Sequence, residues 1–170
     1  MNNLNVDQGL ASVPAVKQYL RAAEACGVDC ALYLEQANIS QETLNNNNKW
    51  VPSASLEKLL TLLIANCNDP LFGLHTSRYV TPDMYSVQGY ITMNCATMRE
   101  VWDQTPIYEK IVGDMGTSKA IYSDKISCLR WNCNYTNSEV KRQVTENVLA
   151  SWHSYSRQFL LPNHHNIKPV

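Results

Sequence analysis

Asp69-Pro70-Leu71-Phe72-Gly73-Leu74-His75 is followed fourteen residues later by Gly89-Tyr90-Ile91-Thr92-Met93, and then by an amphipathic run from Thr97 to Val112. Aspartate before proline marks a helix start in physical terms. The carboxylate accepts free N–H groups of a first helical turn, and proline fits where no N–H is needed. The stretch therefore predicts a helix opening at Asp69-Pro70. Thr81-Pro82 repeats the device, and Met84, Val87, Tyr90, Ile91 and Met93 follow as an apolar stripe at helical spacing. Gly89 lies inside that stripe at a cost of about 1 kcal/mol relative to alanine, which predicts close helix packing there, or a ligand.

Working outward toward the N-terminus, Ser12 before Val13-Pro14 predicts a capped helix carrying Val16, Leu20 and Ala23 that stops at Gly27. Asp29 then caps a short helix with Leu32, Tyr33 and Gln36, and Ser40 opens another through Leu44. Asn45-Asn46-Asn47-Asn48-Lys49 has no apolar residue and reads as an exposed loop. Trp50-Val51-Pro52 leads to Ser53 and Ser55, candidate caps for a helix burying Leu56, Leu59, Leu60, Leu63 and Ile64.

Toward the C-terminus, Thr97 caps a helix bearing Met98, Val101, Trp102, Tyr108, Ile111 and Val112, in which Pro106 predicts a kink near Thr105 and two pieces. Gly113 and Gly116 mark a change of regime, because from Lys119 the period becomes two. Ala120-Ile121-Tyr122 runs to a turn at Ser123-Asp124-Lys125. Leu129, Trp131, Cys133 and Tyr135 then alternate with Arg130, Asn132 and Asn134, as in a β-hairpin with one buried face. From Ser138, the residues Val140, Val144, Val148, Trp152, Tyr155 and Phe159 step by three or four until Pro162. The expected fold is α+β: a mainly helical domain with a small antiparallel β-sheet and a long C-terminal amphipathic helix lying across it.

Taken in order, DPLFGLH, GYITM and TMREVWDQTPIYEKIV resemble the N-terminal effector domain of AraC-type transcription regulators, in the branch controlling amino-acid and related metabolism. Upstream, Gln36-Ala37-Asn38-Ile39, Leu44 and Val51-Pro52 keep that order. Downstream, Arg142-Gln143 with Glu146 and Arg157 looks like that branch's long helix, so the resemblance is collinear from Val13 to Leu161. It implies a sensor rather than an enzyme, with residues 1–170 forming a single effector and dimerisation domain. In such proteins a second strand-bearing half and a helix-turn-helix pair follow. The expectation is thus a chain shortened relative to the family, contacting DNA only through a separate domain. A hairpin without its neighbouring strands would expose edges that pair with a second copy, so a homodimer is expected.

Composition agrees with that reading. Fourteen Lys and Arg against fifteen Asp and Glu give a net charge of −1, which supplies no electrostatic basis for holding nucleic acid directly. Charged residues are 17% and hydrophobic ones 45%, so apolar surface is expected to serve a dimer face or a ligand cleft. Met1-Asn2-Asn3-Leu4-Asn5 lacks a basic start, and no apolar run reaches membrane-helix length. These features predict a cytoplasmic protein without a membrane partner. The six cysteines, at 26, 30, 67, 95, 128 and 133, are then read as reduced, and Asn38-Ile39-Ser40 and Asn134-Tyr135-Thr136 as chance matches to a glycosylation triplet.

Chemistry-bearing patterns are sparse. No Cys-x-x-Cys pair occurs and zinc spacings are unmatched, so no metal and no cofactor is expected. His164-His165 reads as tail. Without a Gly-x-Ser-x-Gly elbow, P-loop or dinucleotide fingerprint, no catalytic residue is proposed. His75 reads first as a residue hydrogen-bonded at a helix end and second as a ligand contact. Arg142 and Glu146 read as an ion pair on one helix face. A cleft between the helices and the hairpin is the remaining candidate for an unknown small-molecule effector. Its candidate contacts are His75, Tyr85, Tyr90, Met93, Trp102, Tyr108 and Trp131, with Arg130 or Arg142 holding a carboxylate. The rival reading is an interaction module that binds no small molecule; a solid interior favours it, whereas an enclosed cleft of roughly a few hundred cubic ångströms favours sensing.

Overall fold

The computed structural model describes residues 9–160, and the readings of Met1–Asn5, Pro162 and His164-His165 lie outside them. The fold is α+β, mainly helical, with two antiparallel two-stranded sheets. Strand β1 (Leu10–Ser12) pairs with β2 (Trp50–Pro52), in the register Ala11 opposite Val51. The sequence did not announce this sheet, because three residues are too few to display a period of two. Ala11 also bridges Gly113, and the Ser12 N–H donates to the Val112 carbonyl at 2.9 Å. The first strand is therefore held on both sides.

Helix α1 (Val13–Ala25) begins at the Ser12-Val13-Pro14 signal, but by geometry rather than by capping, since the Ser12 side chain caps nothing. It ends as Gly27 predicts: that residue has φ +80°, the Val28 N–H reaches back to the Ala23 carbonyl, and the Gly27 N–H reaches the Glu24 carbonyl. Asp29 caps α2 (Cys30–Gln36) through the Ala31 N–H, and Ser40 caps α3 (Gln41–Leu44) through the Thr43 N–H. Asn38, with φ 57°, closes α2 by the same reach-back as Gly27, from Ile39 to Leu34. Helix α4 (Ser53–Asn66) follows β2 directly. Its N-cap is Pro52 and Ser53 is already helical, so neither Ser53 nor Ser55 is its cap.

The opening stretch folds differently from its simplest reading. Asp69 does not cap a helix at Pro70; it accepts the Leu71 N–H at 3.0 Å in a turn, and helix α5 (Phe72–Thr76) starts after it. A 3-10 turn at Pro82–Tyr85 leads into α6 (Ser86–Met93), and Ser86 at the junction has φ 52°. Helix α7 (Met98–Tyr108) is capped by Thr97 as expected. It runs past Thr105 and Pro106 and tightens into a 3-10 turn at Glu109–Ile111 instead of dividing at the proline. The hairpin comprises β3 (Gly116–Tyr122) and β4 (Ser127–Cys133), opening three residues before Lys119. Helix α8 (Ser138–Tyr155) is capped by Asn137 and ends in a π turn at Ser156–Leu160.

One core unites these elements: Val16, Tyr19 and Leu20 of α1, Leu56, Leu59, Leu60 and Leu63 of α4, Phe72, and Val140 and Val144 of α8. Trp131 and Cys133 of β4 pack against it half-buried. The α6 stripe does not. Val87, Tyr90 and Met93 are 47%, 57% and 42% exposed, whereas Gln88, Gly89 and Thr92 face inward. Gly89 explains the inversion. A Cβ there would strike the Pro82 carbonyl, so the glycine edge must face inward for α6 to seat on its own lead-in turn. The Tyr155 hydroxyl then donates to the Gly89 carbonyl at 2.7 Å and fixes that orientation.

Candidate functional site

Helix α8 is positioned by contact between two of the stretches read from sequence. The Gln143 side chain accepts the Gly73 N–H at 2.6 Å and donates to the Pro70 carbonyl at 3.0 Å, to which Arg142 Nη2 also donates. A Cβ on Gly73 would overlap the Gln143 backbone. Arg142 is further bound to Glu139 and Glu146, the latter at 2.8 Å, so its guanidinium is engaged at the surface. His75 Nδ1 lies 2.7 Å from Asp69 Oδ2. Partial burial pushes the Asp69 carboxyl up, but the His75 and Leu71 hydrogen bonds outweigh it and hold it below the ordinary carboxylate range.

With α8 fixed in this way, its middle turns face a partly open cavity of about 60 Å³, bordered by α1, the Pro82–Tyr85 turn, α6, the end of α7 and the hairpin and smaller than the roughly few hundred cubic ångströms that would by itself favour sensing. A buried water needs about 10–15 Å³ of such space, so the cavity has room for a few small groups. Its floor is polar. Gln18 Nε2 donates to Ser151 Oγ at 3.1 Å and to the Thr76 carbonyl at 3.3 Å, and Ser151 donates to Asn147 Oδ1 at 3.0 Å. Tyr19 and Gln88, only 1% and 6% exposed, also line it. Tyr19 Oη, beside the Asn147 amide, and Gln88 Oε1 are both buried without a hydrogen bond of good geometry among the described residues. Burial pushes the phenols of Tyr19 and Tyr85 up, which keeps both neutral and able to donate.

Of the residues predicted from sequence, Tyr85 and Trp131 line this cavity together. The others lie elsewhere. His75 pairs with Asp69, Arg142 with Glu139 and Glu146, and Arg130 is exposed on β4. Tyr90 and Met93 are on the outward face of α6, a consequence of the Gly89 contact. Trp102 stacks on Tyr122 at 6.5 Å between ring centroids, with the Arg99 guanidinium 4.1 Å over the Tyr122 ring, and so ties α7 to β3. Tyr108 is half-buried outside the lining.

Sequence reasoning missed Gln18, Tyr19, Gln88, Asn147 and Ser151. A signal was available on α8: Gln143, Asn147 and Ser151 recur every four residues beside the apolar row Val140, Val144 and Val148. Polar side chains on a helix face that must be buried need partners, which marks them as a network or a site. Among the described residues, no group of three or more His, Cys, Asp or Glu side chains could hold a metal ion, and no helix is long and apolar enough to cross a membrane.

Residues 27–168 match the family described as the arabinose-binding domain of AraC transcription regulators, N-terminal. No curated protein matches the chain.

Proposed function

From the premise that this chain belongs to the family of N-terminal arabinose-binding domains of AraC transcription regulators, we propose that it is a sensing and dimerising domain whose effector occupies the cavity between α8 and the hairpin. The carrying observation is the polar part of that cavity's lining, where Gln18, Asn147 and Ser151 are hydrogen-bonded to one another. Buried polar groups of this kind are costly in a purely structural core and useful where they orient a guest. In this reading residues 1–170 are one cytoplasmic effector domain, DNA is engaged through a separate helix-turn-helix domain, and the guest shifts a population between two arrangements. The chemistry is binding rather than catalysis, since the site offers hydrogen bonds and no base held against a nucleophile.

A thermal-shift screen of amino acids, their catabolites and fatty acids tests it. At least one compound should raise the melting midpoint of the wild-type chain, and Asn147→Leu should lose that response. Absence of stabilisation by every class would overturn the sensing reading.

A second reading, an interaction module without a small-molecule ligand, is favoured by the outward stripe of Val87, Tyr90 and Met93 on α6. The two readings are compatible in one molecule if the stripe meets a second copy. With a net charge of −1, two copies approach without appreciable mutual repulsion.

A further inference from the structure

We propose that Cys26 and Cys67 are a peroxide-responsive thiol pair that closes into a disulfide and staples the end of α1 to the end of α4. The site is separate from the cavity, whose lining contains none of the cysteines, and it stands without the sensing reading. Cys26 is the C-cap residue of α1 and Cys67 the C-cap residue of α4. Their thiols are within hydrogen-bonding reach of one another, and the Cys30 thiol, on the first residue of α2, is close enough to act on Cys67 as well. Three helix ends therefore bring three of the six cysteines together, all of them free. Cys67 also stands just ahead of the Asp69 turn that leads to Pro70 and Gly73, the two residues gripped by Gln143. A staple here ties α1 to the segment that seats α8.

Exposure divides the roles. Cys26 is exposed, whereas Cys30 and Cys67 are buried. Cys30 Sγ is turned toward the Val28 and Leu20 carbonyls, at 3.7 and 3.9 Å, which leaves Cys67 as the partner for Cys26. Burial, with Cys26 beside it, pushes the Cys67 thiol up to about 12, so that it stays protonated at neutral pH and is sheltered from oxidants in solution. Hydrogen peroxide therefore meets Cys26 first. The Cys26 sulfur attacks one peroxide oxygen, the O–O bond breaks, and the thiol proton leaves with the departing oxygen as water, giving a sulfenic acid. The Cys67 sulfur then attacks the Cys26 sulfur. An S–S bond forms, the S–O bond breaks, and a second water carries off the Cys67 proton. Two thiols are oxidised and one peroxide is reduced to two waters. Because both residues are C-caps, the sulfurs close by adjusting helix ends rather than helix interiors.

Peptide mapping of the full chain tests this. The reduced protein is treated with a modest excess of hydrogen peroxide, and remaining thiols are blocked with N-ethylmaleimide. Digestion with trypsin together with Asp-N places Cys26, Cys30 and Cys67 on separate peptides. The expected product is the pair of peptides joined through Cys26 and Cys67, lighter by two hydrogens and separated again by dithiothreitol. Closing that loop should raise the melting midpoint by about 5–10 °C, reversibly. Cys26→Ser should abolish the linkage, and Cys128→Ser, which removes another exposed cysteine on β4, should leave it intact. The map of the wild-type chain decides the matter even if a variant fails to fold. A linkage through Cys30 instead, oxidation of Cys26 that halts at the sulfenic or sulfinic acid, or no linkage at all overturns the proposal. So does a linked chain whose midpoint fails to rise.

Discussion

Gln143 shows how much one side chain can organise. By accepting from Gly73 and donating to Pro70 it joins the DPLFGLH stretch to the long C-terminal helix, two segments seventy residues apart. What sequence reading found as two separate similarities is one contact. Gly73 is required by that contact, since any Cβ meets the backbone of α8 rather than a side chain that could yield. Gly73→Ala should therefore destabilise the protein by about 3 kcal/mol, the upper end for overpacking, as read by urea unfolding. Wild-type stability in the alanine variant would refute the close approach. Asp69 gives a second test. Its carboxyl is held low, so its ionic contribution is complete above the ordinary carboxylate pKa and disappears as pH falls through the depressed value. Asp69→Asn keeps an acceptor for the Leu71 N–H while removing the charge. It should cost about 0.5–1 kcal/mol at pH 7, and the deficit should shrink steadily as pH falls below the ordinary carboxylate range. A deficit that does not shrink with acidification would show that the charge is not what matters.

At the scale of elements, the long periodic segments were legible because burial and periodicity agree there: α1, α4 and α8 carry their apolar rows inward as spacing predicts. Capping chemistry placed α2, α3 and α7 through Asp29, Ser40 and Thr97. Two features were not legible. The β1–β2 pairing joins segments of three residues each, whose partner is chosen by tertiary contact alone. The orientation of α6 follows from backbone contact at Gly89 and the Tyr155 hydrogen bond, which override an apolar stripe that taken alone points the other way. The junction before α6 bears the strain of this arrangement. Ser86 has φ 52° and ψ −140°, a region that side chains avoid and glycine accepts. Ser86→Gly should stabilise the chain by about 1 kcal/mol in urea unfolding. Destabilisation by a similar amount would mean that the serine is held by contacts worth more than its backbone strain.

For the molecule as a whole, the general position of the candidate site between helices and hairpin was legible, and its chemistry was not. Aromatic residues drew attention because they are large, yet of those singled out as contacts only Tyr85 and Trp131 reach the cavity, and the polar part of its lining comes from residues that look like ordinary helix positions. The inversion of α6 links this interior to the surface: Gln88 turns toward the cavity while Val87, Tyr90 and Met93, on the same eight-residue helix, turn toward solvent. A guest that orders Gln88 would thereby order the outward stripe, so sensing and self-association would be coupled in one element. If a second copy covers the stripe, sedimentation velocity at tens of micromolar should show a wild-type dimer, and the double variant Tyr90→Glu with Met93→Glu should sediment as a monomer. Because both side chains are already exposed, the melting midpoint of the isolated fold should change little, within about 0.5 kcal/mol per site. A monomeric wild type would remove the dimer from the proposal, and a variant that stays dimeric would move the interface away from α6, toward the free edges of the β3–β4 hairpin.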